Sequence, residues 1–208
     1  MTVKMKHAVR KKLDGVYHHG DLKTALKNAA LRLVRDRGAR EFSLNEAARL
    51  AGVSVGAPYR HFTDKDALLA EIACDGCDLM IEWLERAANE ATTVREKIVA
   101  AGIEYLRFSK AQADYFAGIF KADLDKSKYP EVERKCKAAF HVILHLAQDF
   151  ERTPELATQC AVSCWALVHG LATLAADGAL ATAVKNSAHA EYARTLLEAF
   201  LDTAVRKK

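Results

Sequence analysis

Proline and glycine are scarce, with three and ten among 208 residues, and aromatic residues stop at 8%. Half of the residues are hydrophobic. Such a chain can bury a core, and its alanine- and leucine-rich composition favours helix throughout over a strand-rich sandwich or barrel. Disordered, collagen-like and disulfide-stapled classes are excluded. No apolar stretch follows the basic residues of the first twenty positions, so no cleavable signal peptide is expected. With five cysteines, an odd number, the expectation is reduced thiols and a cytoplasmic protein. Charge is missing from Leu156 to Ala176, which holds no Asp, Glu, Lys or Arg. Thr158, Gln159, Ser163, His169 and Thr173 interrupt that run, so it is expected to be a helix buried in protein on nearly every side rather than in lipid. Catalytic signatures are also missing: there is no G-x-S-x-G elbow, phosphate-binding glycine loop, H-E-x-x-H or dinucleotide fingerprint. No enzyme, cofactor or metal is therefore expected.

What is present is a charge asymmetry. Residues 1–65 hold 14 Lys and Arg against 6 Asp and Glu, a net +8, while the remainder holds 17 against 21. A basic third joined to a mildly acidic remainder suits a chain that meets a polyanion at one end, with nucleic acid ahead of an anionic membrane. Lys4, Lys6, Arg10, Lys11 and Lys12 make residues 1–19 a basic arm, free to follow a duplex into its minor groove.

The helical pattern starts at Asp21, with apolar residues at three- and four-residue steps to Val34, and Gly38 marks its end. Ser43 and Glu46 then have capping-box spacing, so a short helix begins at Leu44 and ends before Gly52. Ser54 can cap a second short helix, Val55 to His61, which contains the poor helix formers Gly56 and Pro58 and must lean on the first. Two short helices about a glycine turn make a helix-turn-helix, and Ser54, Tyr59, Arg60, His61 and Lys65 supply donors along it. Thr63 or Asp64 caps a long helix to about Ala91. Further helices are expected at Val94–Ala111, Ala113–Phe120, Pro130–Phe150, Pro154–Ala176 and Ala188–Arg206, about nine in all.

Ser43 to Leu69, SLNEAARLAGVSVGAPYRHFTDKDALL, resembles the helix-turn-helix of the TetR (tetracycline-repressor-like) family, through A-G-V-S, G-x-x-Y-x-H-F and K-D-x-L. YHHGDLKTALKNAALRLVRDRG is similar to the first helix of that family, and CWALVHGLATL to the Trp-x-x-x-His-Gly element of one class of its C-terminal domains. The resemblance implies an all-α, cytoplasmic, homodimeric transcriptional regulator. Most often such a protein represses from an inverted-repeat operator and is released by a small-molecule effector. It implies a DNA-binding domain over 20–65 and an effector-binding and dimerisation domain over 66–208. Tyr59, His61 and Lys65 match positions that hold phosphate or groove; Ser43 and Ser54 flank them. Val55, Gly56, Ala57 and Arg60 match the surface that meets base edges, where only Arg60 can grip guanine with two hydrogen bonds. Ala57 stands where many relatives have Thr, and Pro58 where they have an apolar residue.

For the remainder, Tyr105, Phe108, Phe116, Phe120, Phe140 and Trp165 are candidates to surround an effector cavity, with His141, His145 and His169 as polar handles. The family pairs its last two helices across a two-fold axis; here Leu167, Leu171, Leu174, Tyr192, Leu196, Leu197, Phe200 and Leu201 are the candidate dimer surface. Most of these apolar residues also suit an ordinary core. Cys74 and Cys77 have C-x-x-C spacing and His141 and His145 lie four apart, but neither pair has the companions that a redox or zinc site needs. An all-helical ligand or redox protein with a basic end, and an effector-independent DNA-organising protein, are the competing readings.

Overall fold

In a computed structural model of the protein, residues 19–182, 185 and 188–206 are described, and they form eight α-helices with no strand among them. These are α1 (His19–Arg37), α2 (Leu44–Leu50), α3 (Lys65–Asn89), α4 (Val94–Ala111), α5 (Ala113–Phe120), α6 (Pro130–Phe150), α7 (Pro154–Ala176) and α8 (His189–Arg206). Single 3-10 turns lie at Pro58–Arg60 and Lys126–Lys128. Of the basic arm expected over residues 1–19, residues 1–18 lie outside the described residues, and His19 is already the first residue of α1.

Local chemistry sets most helix ends. Ser43 and Thr93 each form a full capping box, with Glu46 and Glu96 respectively, and Asp64 accepts from the amide of Ala67 at 2.8 Å to start α3. Pro130 and Pro154 sit in first turns, where a missing amide hydrogen costs nothing. The helix α1 begins at His19, two residues ahead of the expected Asp21 cap.

Two apolar cores result, and one helix joins them. Leu26, Ala30, Leu33 and Val34 of α1 pack with Phe42, Leu44, Ala47, Phe62 and the first two turns of α3, at Leu68, Leu69 and Ile72. Further along α3, Cys77, Met80 and Leu84 enter a larger core with α4, α6, α7 and α8. The expected boundary between residues 65 and 66 therefore falls in the first turn of a helix that serves both cores. The helix α5 also faces two ways: Phe116 and Ile119 belong to the larger core, whereas Tyr115 and Ala117 lie against the smaller one. Lys23–Glu71 and Lys27–Asp75 pairs tie α1 to α3, and Arg35 pairs with the buried Asp114 of α5.

One expectation about α7 needs correction. Its inner side, including Ala157, Cys160, Ala161, Cys164 and Val168, is buried, but only a third of its most apolar window is covered by the chain. The helix is long and apolar enough to cross a membrane, with a mean hydropathy of 1.4. Burial of one side only leaves Leu156, Val162 and Leu174 exposed, and Trp165 is 39% exposed although it also borders a cavity among the helices.

Candidate nucleic-acid interface and effector cavity

The helix-turn-helix is built on α2. The Ser43 hydroxyl accepts from the Glu46 amide at 3.2 Å, and the Glu46 carboxylate accepts from the Ser43 amide at 2.8 Å. Arg37 donates to the same carboxylate at 2.7 Å. Hydrogen bonds from Arg37 and Ser43 hold the Glu46 carboxyl down to about 2. After α2, Gly52 takes a φ of 73°, a left-handed conformation that ends the helix and that glycine adopts without strain.

The second element departs from expectation. Instead of an α-helix over Val55 to His61, residues 54–57 form turns and only Pro58–Arg60 winds into a 3-10 turn. Pro58 has no amide to donate back toward Ser54 and stands first in the turn, while Ala57 before it keeps right-handed helical angles, φ −64° and ψ −40°. Pro58 is itself buried and anchors the segment, while the amides of His61 and Phe62 bond back to its carbonyl at 2.9 Å.

Around that anchor the expected contact residues divide. Val55 is 47% exposed and Tyr59 55%, and Ser54, Gly56 and Arg60 are exposed beside them; Ala57 is half-buried. His61 is half-buried, with its ring 6.4 Å from that of Phe62, so it does not stand outward with Tyr59. The Lys65 ammonium donates to the Arg40 carbonyl at 3.0 Å and lies 5.6 Å from the centre of the Phe42 ring. The Ser43 hydroxyl is exposed but engaged by the cap. The structure thus gathers Ser54, Val55, Gly56, Tyr59 and Arg60 on one exposed ridge, with Lys65 folded toward the loop that precedes α2.

A cavity of about 110 Å³ opens between α3, α4, α5, α6 and α7. Tyr105, Phe120, Phe140 and Trp165 line it as expected. The other candidates do not. Phe108 is fully buried with its ring edge-on to Trp83, 5.6 Å away, and Phe116 packs behind the wall against Phe120. His141 and His145 are exposed on α6, their rings 5.9 Å apart, because the apolar stripe of that helix faces inward on its other side. His169 stands behind the lining and meets the Tyr105 hydroxyl with Nδ1 at 2.8 Å. Burial pushes the Tyr105 phenol above its ordinary range and the His169 imidazole below its own.

Sequence reasoning missed Met80, Leu84, Ile119 and Ile143 in the wall, together with three thiols, Cys77, Cys136 and Cys164. The apolar spacing of α3 beyond Ile72 marks the first two as inward-facing; nothing local separates lining from core. The sulfur nearest Cys77 among the described contacts is that of Cys136, at 3.6 Å, which joins α3 to α6 and replaces the C-x-x-C pairing with Cys74. Burial, reinforced by Glu131, pushes the Cys74 thiol up to about 11. Cys164 is raised by its hydrogen bond with Cys160 and by burial. No group of three or more potential metal ligands occurs among the described residues.

The expected dimer residues also divide. Leu174 and Tyr192 are exposed, and Leu167, Leu196 and Phe200 are half-buried. Leu171, Leu197 and Leu201 are buried in their own chain, Leu197 against Gly102 of α4, so these three cannot meet a partner as the sequence reading expects. The eight-residue set mixes two faces of each helix.

A capped short helix, a left-handed glycine, an exposed ridge and a separate helical body with a cavity have the architecture of a helix-turn-helix regulator. Residues 26–72 match the family described as bacterial regulatory proteins, tetR family, and residues 98–200 match the tetracyclin repressor-like C-terminal domain. The chain belongs to the TetR family of DNA-binding transcriptional regulators. It is similar to a Rhodococcus sp. RHA1 protein of unknown function, at 29% identity and a TM-score of 0.74 over 93% of this chain and 98% of that one. FadR of Bacillus subtilis, solved in complex with stearoyl-CoA, shares the fold at 14% identity and a TM-score of 0.68, over 84% of this chain and 96% of that one. So does the TetR-family regulator PfmR of Thermus thermophilus, at 16% identity and 0.64, over 86% and 94%. The chain matches no curated protein sequence.

Proposed function

We propose that the protein is a cytoplasmic homodimeric repressor that binds an inverted-repeat operator and is released when a small molecule fills the cavity between α3 and α7. The observation that carries the reading is the exposed ridge from Ser54 to Arg60, braced by buried Pro58 and Phe62 at the head of α3. Arg60 reads a guanine edge, Val55 and Ala57 offer methyl contacts, and Tyr59 and Lys65 hold backbone phosphate, with Ser43, Ser54, Gly56 and His61 shaping the approach. Residues 1–19 act as the arm, 20–65 as the DNA-binding domain and 66–208 as the effector and dimer domain. Leu156, Val162, Leu174 and Tyr192 form an apolar face that a second copy covers, and its two-fold axis sets two ridges about one DNA turn, or a multiple, apart. The effector acts by favouring an arrangement of α3 in which the two ridges no longer match that spacing.

Selection of bound duplexes from a random pool tests the reading. The expected winner is an inverted repeat, preferred over random DNA even as salt is raised, because non-specific binding rests on counterion release and fades first. Selected sites without two-fold symmetry, or affinity equal to that for random duplex, would remove it.

A further inference from the structure

The chemistry of the cavity wall narrows what can occupy it. None of its lining residues is Asp, Glu, Lys, Arg or His. Three cations on the surrounding helices are already engaged: Lys135 lies 2.5 Å from Asp78, and Arg86 and Arg107 both pair with Glu104. A carboxylate or phosphate entering here would lose its water and gain no counter-charge, which strongly disfavours an anionic ligand.

Hydrogen-bonding capacity is confined to one end. The Tyr105 hydroxyl shares a 2.8 Å hydrogen bond with His169 Nδ1, and the Trp165 indole lies against the same hydroxyl. Both partners are neutral where the protein works, since burial raises the phenol and lowers the imidazole. Such a pair takes either polarity by a change of imidazole tautomer and a turn of the hydroxyl: with Nδ1 bare the phenol donates to it and the phenol oxygen can accept from a ligand hydroxyl, and with Nδ1 protonated the ring donates to the phenol oxygen and the phenol hydrogen can turn to a ligand carbonyl. Elsewhere the wall is Met80, Leu84, Ile143, Phe120 and Phe140, with thiols that behave as small apolar groups. At about 110 Å³ the cavity is smaller than the roughly 150 Å³ that takes up a benzene ring, so it has room for a molecule of about six heavy atoms and not for a long acyl chain or a nucleotide conjugate.

Resting on the effector-release reading above, we infer that the cavity takes an uncharged, largely hydrocarbon molecule bearing a single hydroxyl or carbonyl, which docks on the Tyr105–His169 pair, and that it excludes free carboxylates and CoA thioesters. The fold shared with the stearoyl-CoA complex of FadR does not extend to that ligand.

Three five-carbon probes that differ only in head group decide it: 1-pentanol, pentanoate and pentanoyl-CoA, each titrated against full-length protein without DNA. Trp165 lines the cavity and Trp83 is the other tryptophan of the chain, so fluorescence in a Trp83→Phe background reports on the site. The expected result is saturable quenching by pentanol at a dissociation constant at least about tenfold lower than for pentanoate or pentanoyl-CoA, in keeping with the cost of burying an unpaired charge. Tyr105→Phe should weaken pentanol about five- to tenfold, the value of one hydrogen bond. Ala139→Phe, which fills the cavity, should abolish saturation and so separates the cavity from pentanol adsorbed on α7. Equal or tighter binding of pentanoate or pentanoyl-CoA, absence of saturable pentanol binding, or pentanol binding unchanged in Ala139→Phe would each overturn the inference. Release of the selected operator by pentanol is measured separately: binding without release upholds the ligand class and removes the effector-release reading instead.

Discussion

The substitution Val162→Glu separates a dimer surface from a merely exposed helix. Val162 is 46% exposed in a single chain, so close to half of its side chain remains to be buried by a partner. Full burial of a valine side chain is worth about 1.5–3 kcal/mol, so the remaining half contributes about 0.7–1.5 kcal/mol per protomer and twice that across a two-fold axis. A carboxylate in its place must also shed water, and α7 supplies no Lys or Arg to pair with it. With that penalty added, the loss reaches at least about 3 kcal/mol, a hundredfold or more in the dimer dissociation constant at about 1.4 kcal/mol per tenfold. Because the position is exposed in the monomer, its own stability should change by no more than about 0.5 kcal/mol. Sedimentation velocity over a concentration series measures the first quantity, and denaturant unfolding of the monomer the second. Operator affinity should fall with the dimer, since one ridge alone reads a half-site. A variant that remains as tightly dimeric as the wild type would refute the placement of the interface on this face of α7.

Other outcomes follow from the same coordinates. Arg60→Ala should weaken the selected operator by about 1–3 kcal/mol and narrow its advantage over random duplex, whereas Lys65→Ala should weaken both alike and lower the salt slope by about one; equal losses for Arg60→Ala on both DNAs would reject base reading. Glu46 titrates far below an ordinary carboxyl, so its contribution is complete above about pH 4.5 and is lost as pH falls toward 2. Stability should therefore drop less steeply between pH 4.5 and 2 in Glu46→Gln than in the wild type; parallel curves in denaturant titrations would contradict the cap. Leu197→Ala should cost about 3 kcal/mol and lower Tm by about 6–12 °C, since Leu197 is fully buried against Gly102 and Val168; a shift near zero would return that residue to the surface.

Much of the fold is legible in the sequence because its signals are local. Capping boxes at Ser43 and Thr93, prolines at 130 and 154 and the glycine at 52 each act within one turn of their own position, and the helix boundaries follow them closely. The segment from Ser54 to Arg60 reads as a more regular helix than it is, because Pro58 weighs in the sequence as a weak helix former, whereas in the structure it opens a single 3-10 turn that ends at Arg60. Faces are harder to read. Leu196 and Leu197, or Leu171 and Leu174, are equally apolar, and only the packing of α8 and α7 on α4 decides which of each pair turns inward. The cavity is least legible: lining and core use the same residue types, and the missing volume beside Ala101, Gly102 and Ala139 depends on five helices together.

That volume can influence the ridge only if the intervening structure is stiff, and the crossing of α3 and α5 has little slack. A methyl group on Gly118 would lie 3.0 Å from Ile72 Cγ2, and one on Gly76 would lie 3.1 Å from both Ile119 Cδ1 and Tyr115 Cδ1. Backbones this close move together, because close-packed contacts shift as a unit instead of compressing. On the cavity side α5 offers Ile119 and Phe120; on the other it offers Tyr115 and Ala117 to the core beneath the ridge, and Asp114 to Arg35 of α1. A ligand that displaces Phe120 outward thus loads α1 through the ion pair and α3 through Ile72, only two turns from Lys65. Under the proposed release mechanism, coupling on the usual scale of about 1–3 kcal/mol would lower operator affinity roughly five- to a hundredfold without any contact between ligand and DNA-binding helices. Glycine at 76 and 118 is what allows the two helices to approach closely enough for that load to pass.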